Sequence, residues 1–120
     1  MDNLALKQVR DVMQSNGAFD ALQSCLAEFG ERRPDFNAIL DCMGKNGYAI
    51  EDIAENVIEQ NPPSLDTLDD LEQADYNLTN MIKNSLDKHK TVAQAIVDGL
   101  IQYYIYYVKQ FIRDTVSKGV

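Results

Sequence analysis

The chain of 120 residues has no tryptophan, one histidine, two cysteines and three prolines. Each shortage excludes something. His89 stands alone between Lys88 and Lys90. It lacks the partner that orients a general base and the further ligands that a metal site needs. Cys25 and Cys42 form no Cys-x-x-Cys pair. There is also no His-Glu-x-x-His helix, no EF-hand loop, no Glu-x-x-His pair of the di-iron bundle type, no glycine-rich phosphate loop and no Gly-x-Ser-x-Gly turn. No catalytic residue, metal or cofactor is expected, and the chain reads as a non-enzyme.

Long apolar runs are missing as well. The first twenty residues are broken by Asp2, Lys7, Arg10, Asp11 and Asp20, so no secretory leader is read and a cytoplasmic location is expected. In that compartment Cys25 and Cys42 are expected to be free, buried thiols. The most apolar stretch, Leu100 to Val108 (LIQYYIYYV), is preceded by Asp98 and Gly99 and followed by Lys109, Gln110, Arg113 and Asp114. A spanning helix needs about 20 apolar residues, so no membrane segment is expected.

Basic residues are absent from one long block. Residues 49–80 hold nine acids and no base, residues 1–48 hold seven acids and five bases, and residues 81–120 hold three acids and six bases. The net charge is −8. An acidic chain repels nucleic acid and anionic membrane, so neither is an expected direct partner.

What is present is helical periodicity. Leu6, Val9 and Met13 form a stripe after Asp2 or Asn3 as N-cap, and Asn16-Gly17 ends it. Phe19, Leu22, Leu26 and Phe29 form a second stripe, ended by Gly30. Pro34 suits the first turn of a third, carried by Phe36, Ile39, Leu40 and Met43 and ended between Gly44 and Gly47. Ile50, Ile53, Ala54, Val57 and Ile58 make a fourth. Asn61-Pro62-Pro63 is a strong loop signal. A fifth helix, capped by Ser64 or Asp66, is carried by Leu68, Leu71, Leu78, Ile82 and Leu86. Thr91 and Gln94 have capping-box spacing for a last helix, which Gly119 can end. The segment Asp11 to Gly17 is echoed thirty residues on by Asp41 to Gly47. The echo reads as a repeated helix stop, with methionine packed beneath an Asn-Gly cap. The alternative is a duplicated helix-turn-helix unit, though two copies do not establish a solenoid.

The expected fold is therefore all-α, one compact domain over residues 1–120 with five or six helices. A loop around 61–64 separates a short-helix N-terminal part from two longer C-terminal helices. On a wheel of about 100° per residue the last helix has an apolar arc roughly 200° wide, about twice that of a single-sided surface helix. Tyr103 and Tyr106 fall at its edge, where a tyrosine can bury its ring and keep its hydroxyl wet. They are the expected contact residues if this helix meets a partner or a second copy of the chain.

The acidic block, Glu51, Asp52, Glu55, Glu59, Asp66, Asp69, Asp70, Glu72 and Asp75, is either a second binding face or only a solvated face. The solvated reading is favoured for its cluster from Asp66 to Asp75. Two compensators for these carboxylates are available. One is internal, from Lys83, Lys88, Lys90, Lys109 and Arg113. The other is a basic surface on another protein, which electrostatic complementarity would select. The functional expectation is a small acidic protein-binding module, of inhibitor or immunity type, that masks a basic site on its target. A homodimeric helical scaffold, a nucleic-acid mimic and a carrier of small apolar ligands are the alternatives.

Overall fold

The computed structural model describes residues 3–30, 35–74, 77–88 and 91–118. Seven helices follow one another, and no strand is present among the described residues: α1 (Leu4–Asn16), α2 (Ala18–Phe29), α3 (Phe36–Lys45), α4 (Ile50–Gln60), α5 (Leu65–Ala74), α6 (Asn77–Leu86) and α7 (Val92–Lys118). The helix count exceeds the expected five or six. The stretch read as one helix from Leu68 to Leu86 is two, because no large aliphatic residue continues the stripe between Leu71 and Leu78. The C-terminal part accordingly holds two ten-residue helices and one of 27 residues, rather than two long ones.

The helix ends follow the local chemistry. The Asn3 side chain accepts from the N–H groups of Ala5 (2.8 Å) and Leu6 (3.2 Å) and caps α1. Ser64 accepts from Thr67 N–H at 3.2 Å ahead of α5, and Thr91 accepts from Gln94 N–H at 3.2 Å ahead of α7. Pro34, His89, Lys90 and Gly119 lie outside the described residues.

Both Asn-Gly stops work through the same backbone device. Gly17 and Gly47 each take φ +89°, a left-handed conformation that a Cβ disfavours. At the second stop, Tyr48 N–H donates to Met43 O (2.9 Å) and Gly47 N–H donates to Gly44 O (3.1 Å), closing a Schellman motif. Met13 and Met43 are both buried beneath these ends. The two stops also meet: Tyr48 donates its hydroxyl to Asn16 O at 3.0 Å.

One hydrophobic cluster draws residues from all seven helices. Its axis is α7, which packs against α6, α4 and α1. At 1.5 Å per residue α7 is about 40 Å long, close to the molecule's longest extent of 46 Å. Its buried residues lie in two adjoining i/i+4 rows, Ala95-Gly99-Tyr103-Tyr107 and Leu100-Tyr104-Val108-Ile112. No helix among the described residues is long and apolar enough to cross a membrane.

The α6–α7 crossing is set by one residue. A Cβ on Gly99 would lie 2.8 Å from Ile82 Cγ1 and 2.9 Å from Ile82 Cα. The second atom is backbone, so the helices would have to separate. Beside this crossing, Ser85 donates to Asp98 Oδ2 at 2.9 Å.

The α2–α3 pair corrects the free-thiol expectation. Cys25 and Cys42 are joined by a disulfide, their Cα atoms 5.9 Å apart, within the range that a disulfide spans. The free-thiol reading came from the expected compartment, and packing of α2 on α3 overrides it. The disulfide equally removes support from the cytoplasmic premise, since such bonds are rare there.

Two stability outcomes follow. Gly99→Ala gains about 1 kcal/mol of helix propensity, yet it should lower the stability measured by urea unfolding by about 1–3 kcal/mol through overpacking. Reduction of the disulfide, which closes a separation of 17 residues, should cost about 3 kcal/mol in the same assay.

Candidate functional site

The tyrosine run divides between core and surface. Tyr103 is 0% exposed, Tyr104 is 1% and Tyr107 is 5%, whereas Tyr106 is 51% exposed. Tyr103 is therefore not the surface contact residue expected from the wheel. Its ring sits 4.8 Å from that of Tyr107 and 5.6 Å from that of Tyr104, both edge-on. The wheel placed Tyr103 at the rim because it treated the apolar arc as centred further round. The structure centres burial on the two rows described above. Ala93 and Val97, seven residues before Leu100 and Tyr104 and on the same side, are exposed because burial on that side fades toward the start of α7. Only Tyr106 keeps the expected surface position.

Two of the buried tyrosines tie α1 to α7. Tyr104 donates to Gln8 Oε1 at 2.6 Å, and Asn3 Nδ2 donates to the Tyr107 hydroxyl at 3.3 Å. The order of these pairs makes α1 and α7 antiparallel. Burial pushes the Tyr104 phenol well above its ordinary value, because tyrosinate would lose its hydration there. Toward the other end of α7, Phe111 meets the Phe19 ring at 6.0 Å and the Arg113 guanidinium lies 4.4 Å from the centre of the Phe36 ring. These contacts seat the α2–α3 pair on the long helix.

The acidic residues go outward. Glu51, Asp52, Glu55 and Glu59 on α4 are all exposed, and so are Asp66, Asp69, Asp70 and Glu72 on α5. Asp75 lies outside the described residues. Burial of Ile53, Ala54 and Val57 explains the α4 set: the opposite face is left to solvent. Glu51 and Asp52 also occupy the first turn of α4, where the helix dipole favours negative charge. On α5 only Leu71 is buried, and Glu72 accepts a hydrogen bond from Thr79 at 3.1 Å.

The internal compensator does not form among the described residues, and Lys90 lies outside them. Among the described residues the ion pair present is Arg10–Asp11 at 3.8 Å, on α1. None of Lys83, Lys88, Lys109 and Arg113 pairs with an acid of the block, and Arg113 is engaged with Phe36. Both helices pack against α1, while α4 also packs against α7 and α5 against α6. The structure thus presents an acidic face on each of two helices.

A third grouping went unread in the sequence. The Sγ atoms of Cys25 and Cys42 and a carboxylate oxygen of Glu28 all lie within 4.8 Å of one another. Glu28 Oε2 is 3.1 Å from Cys42 Sγ. Asn46 Nδ2 is 3.7 Å from each sulfur and donates to Cys42 O at 2.8 Å. The signal was available as spacing: Cys25 and Glu28 are i/i+3 on α2, and Cys42 and Asn46 are i/i+4 on α3, so each pair shares a helix face. Without knowing that α2 packs on α3, nothing joined the two pairs.

Comparison with known proteins adds no assignment: no family model, curated protein or solved structure matches the chain.

Tyr104 gives a pH signature. Unfolded, its phenol ionises near 10.0; folded, it holds its proton to higher pH. The stability it contributes is complete below pH 10.0 and is lost as pH rises above it. Urea midpoints should fall as pH is raised from 9 to about 11, and Tyr104→Phe should shallow that fall. At neutral pH the same variant should lose about 1 kcal/mol with the Gln8 hydrogen bond.

Proposed function

We propose that this protein is a non-enzymatic protein-binding module whose acidic faces on α4 and α5 engage a basic surface of another protein. The observation that carries the reading is the state of its carboxylates. Eight of them, Glu51, Asp52, Glu55, Glu59, Asp66, Asp69, Asp70 and Glu72, are exposed and unpaired by any described basic side chain. Like charges held close on a helix face repel one another, by a few tenths of a kcal/mol per neighbouring pair. A basic partner would relieve that repulsion, and the long-range field would speed its approach. Inhibition by covering a basic site on the target is the physiological role that fits such a module.

The test compares the wild-type chain with a Glu55→Lys/Asp70→Lys variant as bait in lysate, at low and high salt. Both positions are exposed, so circular dichroism should show the fold intact. The reading expects a stoichiometric protein held by wild type, released by salt, and bound at least about tenfold more weakly by the variant. If added duplex DNA displaces that protein, the carboxylates are imitating phosphates. Equal retention by both baits, or retention by neither, overturns the reading.

A second reading has its own observation. Val92 and Tyr106, fourteen residues apart and so on the same side of α7, are exposed at 64% and 51%, apolar surface on the helix that also forms the axis of the core. A homodimer formed across α7 would cover it. Light scattering that finds a monomer at all concentrations tested overturns this reading, and a dimer abolished by Tyr106→Asp supports it.

A further inference from the structure

We propose that Cys25, Glu28 and Cys42 form a binding site for one thiophilic divalent cation, best matched by Zn2+, which fills when the Cys25–Cys42 disulfide is reduced. Disulfide and metal would then be mutually exclusive states of the same two sulfurs.

Three observations support this site. The first is distance. Zinc bound to sulfur at about 2.3 Å and to oxygen at about 2.0–2.2 Å, in a tetrahedral arrangement, places its ligand atoms roughly 3.5–3.8 Å apart. The three donor atoms already lie within 4.8 Å of one another, so side-chain torsions suffice to reach that spacing. The second is the placement of Glu28. A disulfide sulfur has no proton to donate, so a carboxylate oxygen 3.1 Å from Cys42 Sγ gains nothing from it. Beside a thiol that oxygen can accept a proton, and beside a metal thiolate it is a ligand. The third is Asn46. Its amide nitrogen stands 3.7 Å from both sulfurs and is held in place by its bond to Cys42 O. An N–H donor directed at two sulfurs stabilises thiolates and orients ligands from the outer shell.

The ligand set selects the ion. Two thiolates and a carboxylate suit zinc and exclude calcium and magnesium, which take oxygen donors. Cys25 is fully buried, Cys42 half-buried and Glu28 exposed, so the site opens to solvent on its Glu28 side, where water can complete the coordination.

The same exposure gradient orders the chemistry. A thiolate of an external dithiol reductant attacks Cys42 Sγ, the accessible sulfur, and Cys25 leaves as a thiolate that takes up a proton. The reductant's second thiol then displaces Cys42 and departs as its own disulfide. Two electrons have passed to the protein. Cation binding releases the two thiol protons.

Cobalt(II) is the probe, since a tetrahedral thiolate site gives it strong visible bands and a sulfur-to-metal charge-transfer band. Protein reduced with a phosphine and freed of oxygen should bind one cobalt per chain, displaced by zinc, and oxidised protein should bind none. Cys42→Ser should abolish the charge-transfer band. Glu28→Gln leaves both cysteines in place and only replaces an exposed carboxylate by an isosteric neutral amide, so it should fold as wild type whatever the effect of the serine variant. It should keep the charge-transfer band but weaken affinity by more than about tenfold, since losing a direct carboxylate ligand costs at least as much as losing an outer-shell partner. No band with reduced wild-type protein, one cobalt per two chains, or undiminished affinity in Glu28→Gln would each overturn the assignment.

Discussion

The fold depends on one long helix that must pack against α6, α4 and α1 along its length and meet α2 and α3 through the side chains of Phe111 and Arg113. α7 meets this constraint by burying two i/i+4 rows instead of one, and by thinning itself to a glycine where α6 crosses. A hydrogen at Gly99 lets the Ile82 backbone approach to a distance that no larger side chain allows. Elsewhere the same helix is thick. Tyr103, Tyr104 and Tyr107 fill the space toward α1 with rings in edge-on contact, an arrangement that suits the aromatic quadrupole. Tyrosine adds a hydroxyl at the far end of each ring, and those of Tyr104 and Tyr107 reach polar side chains of α1. Orientation of α1 on α7 is therefore set by directional bonds as well as by apolar area.

The outer surface follows from that inner commitment. Once α4 and α5 give Ile53, Ala54, Val57 and Leu71 to the core, with Ile50, Ile58 and Leu68 packed against it, their opposite faces are left to water, and eight carboxylates occupy them. The described basic residues of the last third are not spent on these acids. Arg113 lies on Phe36, and the ion pair on α1 is local. The acidic surface is thus available to whatever approaches it, with a reach limited to about 8 Å at physiological salt. The α2–α3 corner is a different kind of surface, in which two sulfurs, a carboxylate and an amide converge. Its chemistry depends on redox state, and it stands apart from the acidic faces.

Local rules are written in local residues, so the sequence alone determined the class of fold and most of its punctuation. Asn3, Ser64 and Thr91 cap helices because their oxygens reach N–H groups two or three residues on. Gly17 and Gly47 stop helices because positive φ costs glycine little. The Asn61-Pro62-Pro63 break and the outward acids are equally readable from periodicity. Three things required the assembled molecule. The split between α5 and α6 was hidden because leucines on both sides of the gap mimic one stripe. The burial of Tyr103 depends on which side of α7 the other helices occupy, and a wheel gives the width of an apolar arc but not where its neighbours stand. The pairing of Cys25 with Cys42, and the approach of Glu28 and Asn46 to their sulfurs, depends on α2 packing against α3. That contact joins residues up to 21 positions apart, and no rule of nearest neighbours along the chain contains it.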